Sequence, residues 1–210
     1  MGQPPWEVDE AMVAFGYPMG PYEAQDLSGL DIAHANRRRQ DATRDPDRRY
    51  IPIADRMVEL GKLGRKTGAG WYRYPGGGGK VEDPIVADLA IEEAHFAKIT
   101  RCDFSDDEIR ERLVLAMINE AADILHEGIA AKAADIDLVT VLGYGFPRWR
   151  GGLMCYADTL GVPAILEKLN AFAAEDPVVW KPSPALVACA EKGMRLADYS
   201  SEMAEHLQTV

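Results

Sequence analysis

At 210 residues, with 47% hydrophobic and 27% charged residues, the chain can bury a real core and is too apolar for a disordered segment. Its net charge of −11 argues against a nucleic-acid binder, whose affinity comes mainly from Lys and Arg on phosphates. No apolar run approaches the roughly 20 residues of a membrane span, and Cys102, Cys155 and Cys189 form no CxxC pair, which suits a reducing, cytoplasmic setting without disulfides or zinc.

In chain order the signals are mostly helical. Val8 to Phe15 reads as a short helix closed by Gly16. Pro21 opens a second helix running towards Ala42, with a break expected at Gly29 because glycine inside a helix costs about 1 kcal/mol. Asp45-Pro46-Asp47 reads as a loop, and Ile53 to Leu60 as a helix stopped by Gly61 and Gly64. Trp71 to Tyr74 alternates weakly as a strand would, and Pro75 with Gly76 to Gly79 marks a flexible connection. Helix returns from Pro84 to Lys98, with Val86, Leu89, Ile91 and Phe96 as its apolar face. Ser105 followed by Glu108 is a capping box. Beyond it Ile109, Leu113, Met117, Ala121, Ile124 and Gly128 follow helical spacing, widened by Val114, Ile118 and Leu125. Asp135 to Leu142, Pro163 to Ala173 and Pro184 to Glu191 read as three further helices.

The chain also repeats itself. Aligning Gly20 with Gly152 places Asp26 on Asp158 and Gly29 on Gly161 without a gap, and Gly16-Tyr17-Pro18 matches Gly145-Phe146-Pro147 just upstream. Met57 to Gly64 corresponds to Leu186 to Gly193. Glycines at fixed offsets mark positions where a Cβ is not tolerated, and a repeat of this size implies two supersecondary modules packed together. The second copy follows a long amphipathic segment; the first has only a short helix candidate before it. That asymmetry reads as a piece of something longer.

Few residues carry a complete chemistry. Gly64 to Gly68 lacks the spacing and preceding strand of a phosphate loop and reads as a helix-ending turn. His34, His95, His126 and His206 are isolated, and adjacent His126 and Glu127 point about 100° apart on a helix. The run Arg37 to Arg39 reads as a solvated helix face. Asp26 and Asp158 are either general bases or acceptors for backbone amides of the neighbouring glycine-rich turn. Trp149, between Arg148 and Arg150, is either a stacking site for an adenine ring or a packing residue between the repeats.

Phe15-Gly16-Tyr17-Pro18-Met19-Gly20-Pro21-Tyr22, with Asp26, Gly29 and Asp31 behind it, resembles the C-terminal domain of 3-hydroxyacyl-CoA dehydrogenases. Gly64-Arg65-Lys66-Thr67-Gly68 with Gly70-Trp71-Tyr72 is similar to that domain's closing segment. Gly143 to Gly152 with Tyr156-Ala157-Asp158 resembles the second such domain of multifunctional β-oxidation enzymes. The resemblance implies an all-α fold of two tandem repeats, the first lacking its opening helix, with residues 1–81 and 105–210 as repeats and 82–104 as a linker helix. It implies NAD-dependent oxidation of 3-hydroxyacyl-CoA by a whole enzyme in fatty acid β-oxidation. The His–Glu pair and NAD site of that enzyme belong to an upstream dinucleotide-binding domain. This part would then bind no cofactor itself, contribute no catalytic residue and be inactive alone. The family's substrate-side Asn falls on Glu111 in the second copy. Phe15, Pro18, Met19, Gly20 and Pro21 are the expected substrate-binding wall, against the plainer reading that this turn only orients two helices. The groove left by the missing helix would favour self-association. A non-catalytic helical interaction module derived from the domain is the alternative.

Overall fold

The computed structural model describes residues 3–46 and 48–200; Met1, Gly2, Asp47 and His206 lie outside them. Ten α-helices and one two-stranded hairpin make up the described residues, so the all-α class holds. The chain divides into two units, 1–110 and 111–210.

In the first unit α1 (Pro5–Phe15) starts ahead of the expected Val8 because Pro5 takes the first helical position, where an amide donor is not needed. Helices α2 (Pro21–Ser28) and α3 (Leu30–Gln40) are separated at Gly29, whose φ of 99° and ψ of 126° break the predicted long helix. After α4 (Ile53–Glu59) comes a 3-10 turn at Arg65–Thr67, where the Thr67 hydroxyl binds back to the Gly64 carbonyl at 3.1 Å. β1 (Tyr72–Arg73) then pairs antiparallel with β2 (Val81–Glu82), and the glycine run forms the loop between them. Asp83 caps α5 (Pro84–Phe96) by accepting from the Ile85 amide at 3.2 Å, and Lys62 pairs with the same buried carboxylate. Leu30, Met57, Trp71, Tyr72, Tyr74, Val86 and Leu89 form the core of this unit. The expected face of α5 is only half right: Val86 and Leu89 are buried, but Ile91 and Phe96 are 48% and 68% exposed.

Helix α6 (Asp106–His126) begins at the expected capping box, with Ser105 N–H donating to Glu108 at 2.9 Å and Glu108 N–H to the Ser105 hydroxyl at 3.4 Å. Its buried line runs through Val114, Ile118, Ala121, Ala122 and Leu125, while Leu113, Met117 and Ile124 are only partly covered and Gly128 is exposed. The widening set of the sequence pattern is thus the true centre of the stripe. Helices α7 (Ala133–Gly143), α8 (Leu153–Leu160), α9 (Val162–Ala173) and α10 (Pro184–Lys192) follow, each packed on the next except that a short 3-10 segment, Leu196–Asp198, closes on α7, α8 and α10. The order α7 to α10 repeats α1 to α4, and Gly161 breaks α8 from α9 with φ 88° and ψ 125°, as Gly29 does in the first set. Among the described residues, the long helix α6 leads into the second set.

Candidate functional site

A carboxylate reaches across from α1 to hold the start of α2. Asp9 accepts from the Tyr22 and Glu23 amides at 2.8 and 2.9 Å, satisfying two donors that a helix N-terminus leaves unpaired. A negative charge there also complements the helix dipole. The residues between, Pro18-Met19-Gly20-Pro21, are fixed as a tight turn over this contact, because a Cβ on Gly20 would come within 2.3 Å of Asp9 Cα. Gly20 has an ordinary extended φ of −77°, so close approach alone demands glycine here. The second unit repeats the device: Asp137 accepts from the Met154 and Cys155 amides at 2.6 and 3.2 Å, beneath Gly152.

A second carboxylate ties the same region to the hairpin. Asp26 accepts from the Trp71 and Tyr72 amides at 2.8 and 2.9 Å and from the Tyr74 hydroxyl at 3.0 Å. Tyr72 bridges the two acids, donating its hydroxyl to Asp9 at 2.8 Å. Asp158 holds the Leu196 and Ala197 amides at 2.7 and 3.1 Å. Both oxygens of Asp26 and of Asp158 are engaged by these donors, which matches the backbone-acceptor reading and leaves no poised general base. Asp9 and Asp137 went unrecognised in the sequence. The signal available was an acid on the otherwise apolar face of a short helix, recurring ahead of each glycine set.

The expected wall residues gather at one place. Pro18 is exposed, Met19 and Pro21 are partly exposed, Gly20 is buried, and Phe15 stands buried behind them with its ring 6.1 Å from that of Tyr17. Burial pushes the Tyr17 hydroxyl up to about 12, so it stays protonated at neutral pH. Arg37 is tied to Asp55 at 2.6 Å. His126 meets the Tyr199 hydroxyl at 2.8 Å. Trp149, read as either a stacking or a packing residue, is 72% exposed, with the Arg150 guanidinium 4.0 Å from its ring centre. Among the described residues no three His, Cys, Asp or Glu side chains converge as metal ligands.

Burial raises both Asp9 and Asp26 above the ordinary carboxylate range, and for Asp26 the Asp9 charge adds to it. A folded-state value above the unfolded one, about 3.9 for Asp, stabilises fully below that value and loses its effect as pH rises through the folded one. Acidification from neutral pH into the carboxylate range should therefore strengthen the contribution of this pair. Exposed Asp31, held down by Lys66, acts in the opposite sense. The slope of the first unit's urea midpoint against pH should consequently differ between the native chain and Asp9→Asn, with the native chain gaining more on acidification. Parallel curves would count against the assignment.

Residues 2–74 and 109–197 match the family model described as 3-hydroxyacyl-CoA dehydrogenase, C-terminal domain. The chain is 40% identical over 207 residues to the peroxisomal bifunctional enzyme of Homo sapiens, covering 91% of this chain and 29% of that protein. It is 34% identical over 199 residues to the peroxisomal fatty acid beta-oxidation multifunctional protein of rice (Oryza sativa subsp. japonica), covering 91% and 27%. Among solved structures, the dehydrogenase part of multifunctional enzyme 1 from C. elegans matches with a TM-score of 0.70 at 25% identity, over 89% of this chain and 42% of that one. The 3-hydroxybutyryl-CoA dehydrogenase of Escherichia coli K12 shares the fold, with a TM-score of 0.69 at 20% identity, over 90% and 55%. The chain thus spans less than a third of the length of these curated relatives.

Proposed function

The chain belongs to the family of 3-hydroxyacyl-CoA dehydrogenase C-terminal domains, and from that premise we propose that it is the C-terminal part of an NAD-dependent 3-hydroxyacyl-CoA dehydrogenase of fatty acid β-oxidation. In this reading Pro18, Met19, Gly20 and Pro21, backed by Phe15, form one wall of the cleft that takes the acyl-CoA. The observation that carries it is the Asp9 clamp: it fixes the turn from beneath and leaves Pro18 and part of Met19 at the surface. A thioether on an unbranched stem suits acyl chains of varying length. The domain division at 1–81, 82–104 and 105–210 stands as part of the same proposal.

NAD does not fit the residues in hand. A dinucleotide site needs a strand running through a glycine turn into a helix N-terminus, whereas the only sheet among the described residues pairs two strands of two residues each. Hydride transfer is therefore assigned to an upstream domain, and this chain's residues act by shaping and drying the substrate side. Self-association belongs to the proposal as well. So does a reducing, cytoplasmic location, which suits the free Cys102, Cys155 and Cys189; the names of the relatives place those proteins in peroxisomes. No helix among the described residues is long and apolar enough to cross a membrane.

The chain alone should form no NADH from NAD and 3-hydroxybutyryl-CoA. Mixed with the separately expressed dinucleotide-binding part, it should restore turnover, and Met19→Asp should raise KM for a long-chain substrate roughly tenfold or more with kcat less affected. Turnover by the chain alone overturns the division of labour. A stable mixture with no turnover would favour the interaction-module alternative.

A further inference from the structure

The two repeats hold their glycine turns alike except for one phenol. Asp26 accepts from the Trp71 and Tyr72 amides and Asp158 from the Leu196 and Ala197 amides, so Tyr72 and Ala197 occupy matching places. Tyr74 and Tyr199 then match as well, each three residues beyond the first of these amides. Tyr74 donates to Asp26 at 3.0 Å, whereas Tyr199 meets His126 at 2.8 Å. Tyr72 is buried and reaches Asp9, while Ala197 is exposed and has no side-chain donor to offer Asp137. The added link belongs to the repeat that carries the Pro18-Met19-Gly20-Pro21 turn; in the other, Gly152 is followed by Leu153.

A single oxygen atom makes that link tight. Asp9 Oδ2 accepts both the Glu23 amide at 2.9 Å and the Tyr72 hydroxyl at 2.8 Å, and Oδ1 accepts the Tyr22 amide at 2.8 Å. The start of α2, directly after Pro21, is thereby joined to the hairpin through one carboxylate. Tyr72 is itself fixed. Its amide is on Asp26, it pairs with Glu82 in β2, and Lys80 lies 4.8 Å from its ring centre while reaching Glu23 at 2.6 Å. Burial and the bond to Asp9 push the Tyr72 hydroxyl well above the usual phenol range, so it remains a donor at neutral pH. With the phenol in place, the buried carboxylate is held from the hairpin side. Without it, Asp9 keeps only the two amides of the helix start that it has to hold.

We propose that Tyr72 is a positioning residue for the acyl-CoA wall. By steadying Asp9 it fixes where Pro18 and Met19 stand, and so sets how tightly substrate is held rather than how fast hydride moves. The role rests on the wall reading above and adds to it a residue that does not itself touch substrate.

Tyr72→Phe tests it, with Tyr74→Phe as the matched control, because the control removes the same kind of bond from the other acid without touching Asp9. Both variants should lower the urea midpoint of the first unit. Only Tyr72→Phe should speed hydrogen exchange of the Tyr22 and Glu23 amides in the chain, by roughly tenfold. In the assembled enzyme only Tyr72→Phe should raise KM for acyl-CoA, roughly fivefold, with kcat within about twofold. Ortho-fluorotyrosine at position 72 keeps the ring's shape and makes the hydroxyl a stronger donor, so it should slow the same exchange. That arm decides the matter if the phenylalanine variant fails to fold. Equal effects of the two phenylalanine variants on exchange or on KM overturn the proposal, as does exchange that no change at position 72 moves. A KM that rises for Met19→Asp but not for Tyr72→Phe also overturns it and leaves the wall standing. Indifference of KM to both removes the wall, and the role of Tyr72 with it.

Discussion

Replacing Asp26 with alanine should lower the unfolding free energy of the first unit by about 3–5 kcal/mol, among the largest effects of any single side chain. The reason is arithmetic of donors. Asp26 is 1% exposed and takes the Trp71 amide, the Tyr72 amide and the Tyr74 hydroxyl. Truncation strands three buried donors at once, each costing about 1–3 kcal/mol unless water enters. The same three contacts hold the hairpin onto α2, so Trp71 and Tyr72 would lose their seat in the core. Urea unfolding followed by the fluorescence of Trp6 and Trp71, in a background with Trp149 and Trp180 changed to phenylalanine, reads the first unit selectively.

Asp158 provides the internal comparison. It marks the same repeat position but serves only two amides, Leu196 and Ala197, and the latter is exposed to water. Its alanine variant should cost the second unit about 1–2 kcal/mol. Asp26→Asn should fall between, because one amide oxygen still accepts while the new NH2 opposes a backbone donor. Equal losses at Asp26 and Asp158 would mean that the donor count does not set the cost.

What could be read in the sequence was whatever is local or repeated. The break at Gly29 followed from one residue's backbone freedom, and the start of α6 from the Ser105–Glu108 pair. The matched aspartates Asp26 and Asp158 were visible because the motif recurs. Three things were not visible, each because its cause lies elsewhere in the chain. Asp9 caps α2 from α1, 13 residues away from Tyr22, so no capping pattern in the local sequence records it. β2 is a two-residue strand with both residues exposed and exists because β1 is pinned to Asp26. The periodicity of α5 predicted burial of Ile91 and Phe96, but hydrophobic spacing reports a face without saying which partner covers it. Within the candidate wall the five residues were chosen by resemblance, and only the structure separates exposed Pro18 from buried Phe15.

Gly20→Ala should be nearly as damaging as the loss of Asp26, for a purely steric reason. The added Cβ would lie 2.3 Å from Asp9 Cα, Cβ and Cγ. Two of those atoms move only with the helix backbone, so rotation of the Asp9 side chain gives no relief. Overpacking of this kind costs typically about 1–3 kcal/mol and reaches further when backbone is struck, so a loss of about 3 kcal/mol or more is expected in the first unit. Gly143→Ala is the control: nothing lies within 4 Å of its added Cβ, and it closes α7, so the change should be neutral or stabilise by up to about 1 kcal/mol. Relief of the strain must push α1 from α2, which lengthens both Asp9 contacts and shifts Pro18 and Met19 together. In the assembled enzyme that displacement should appear as a raised KM for acyl-CoA even at temperatures where the variant stays folded. Because the Asp9 Cα remains in place, Asp9→Ala should not rescue Gly20→Ala. Recovery of most of the lost stability in that double variant would place the clash in the side chain and remove the close backbone approach as the reason for glycine.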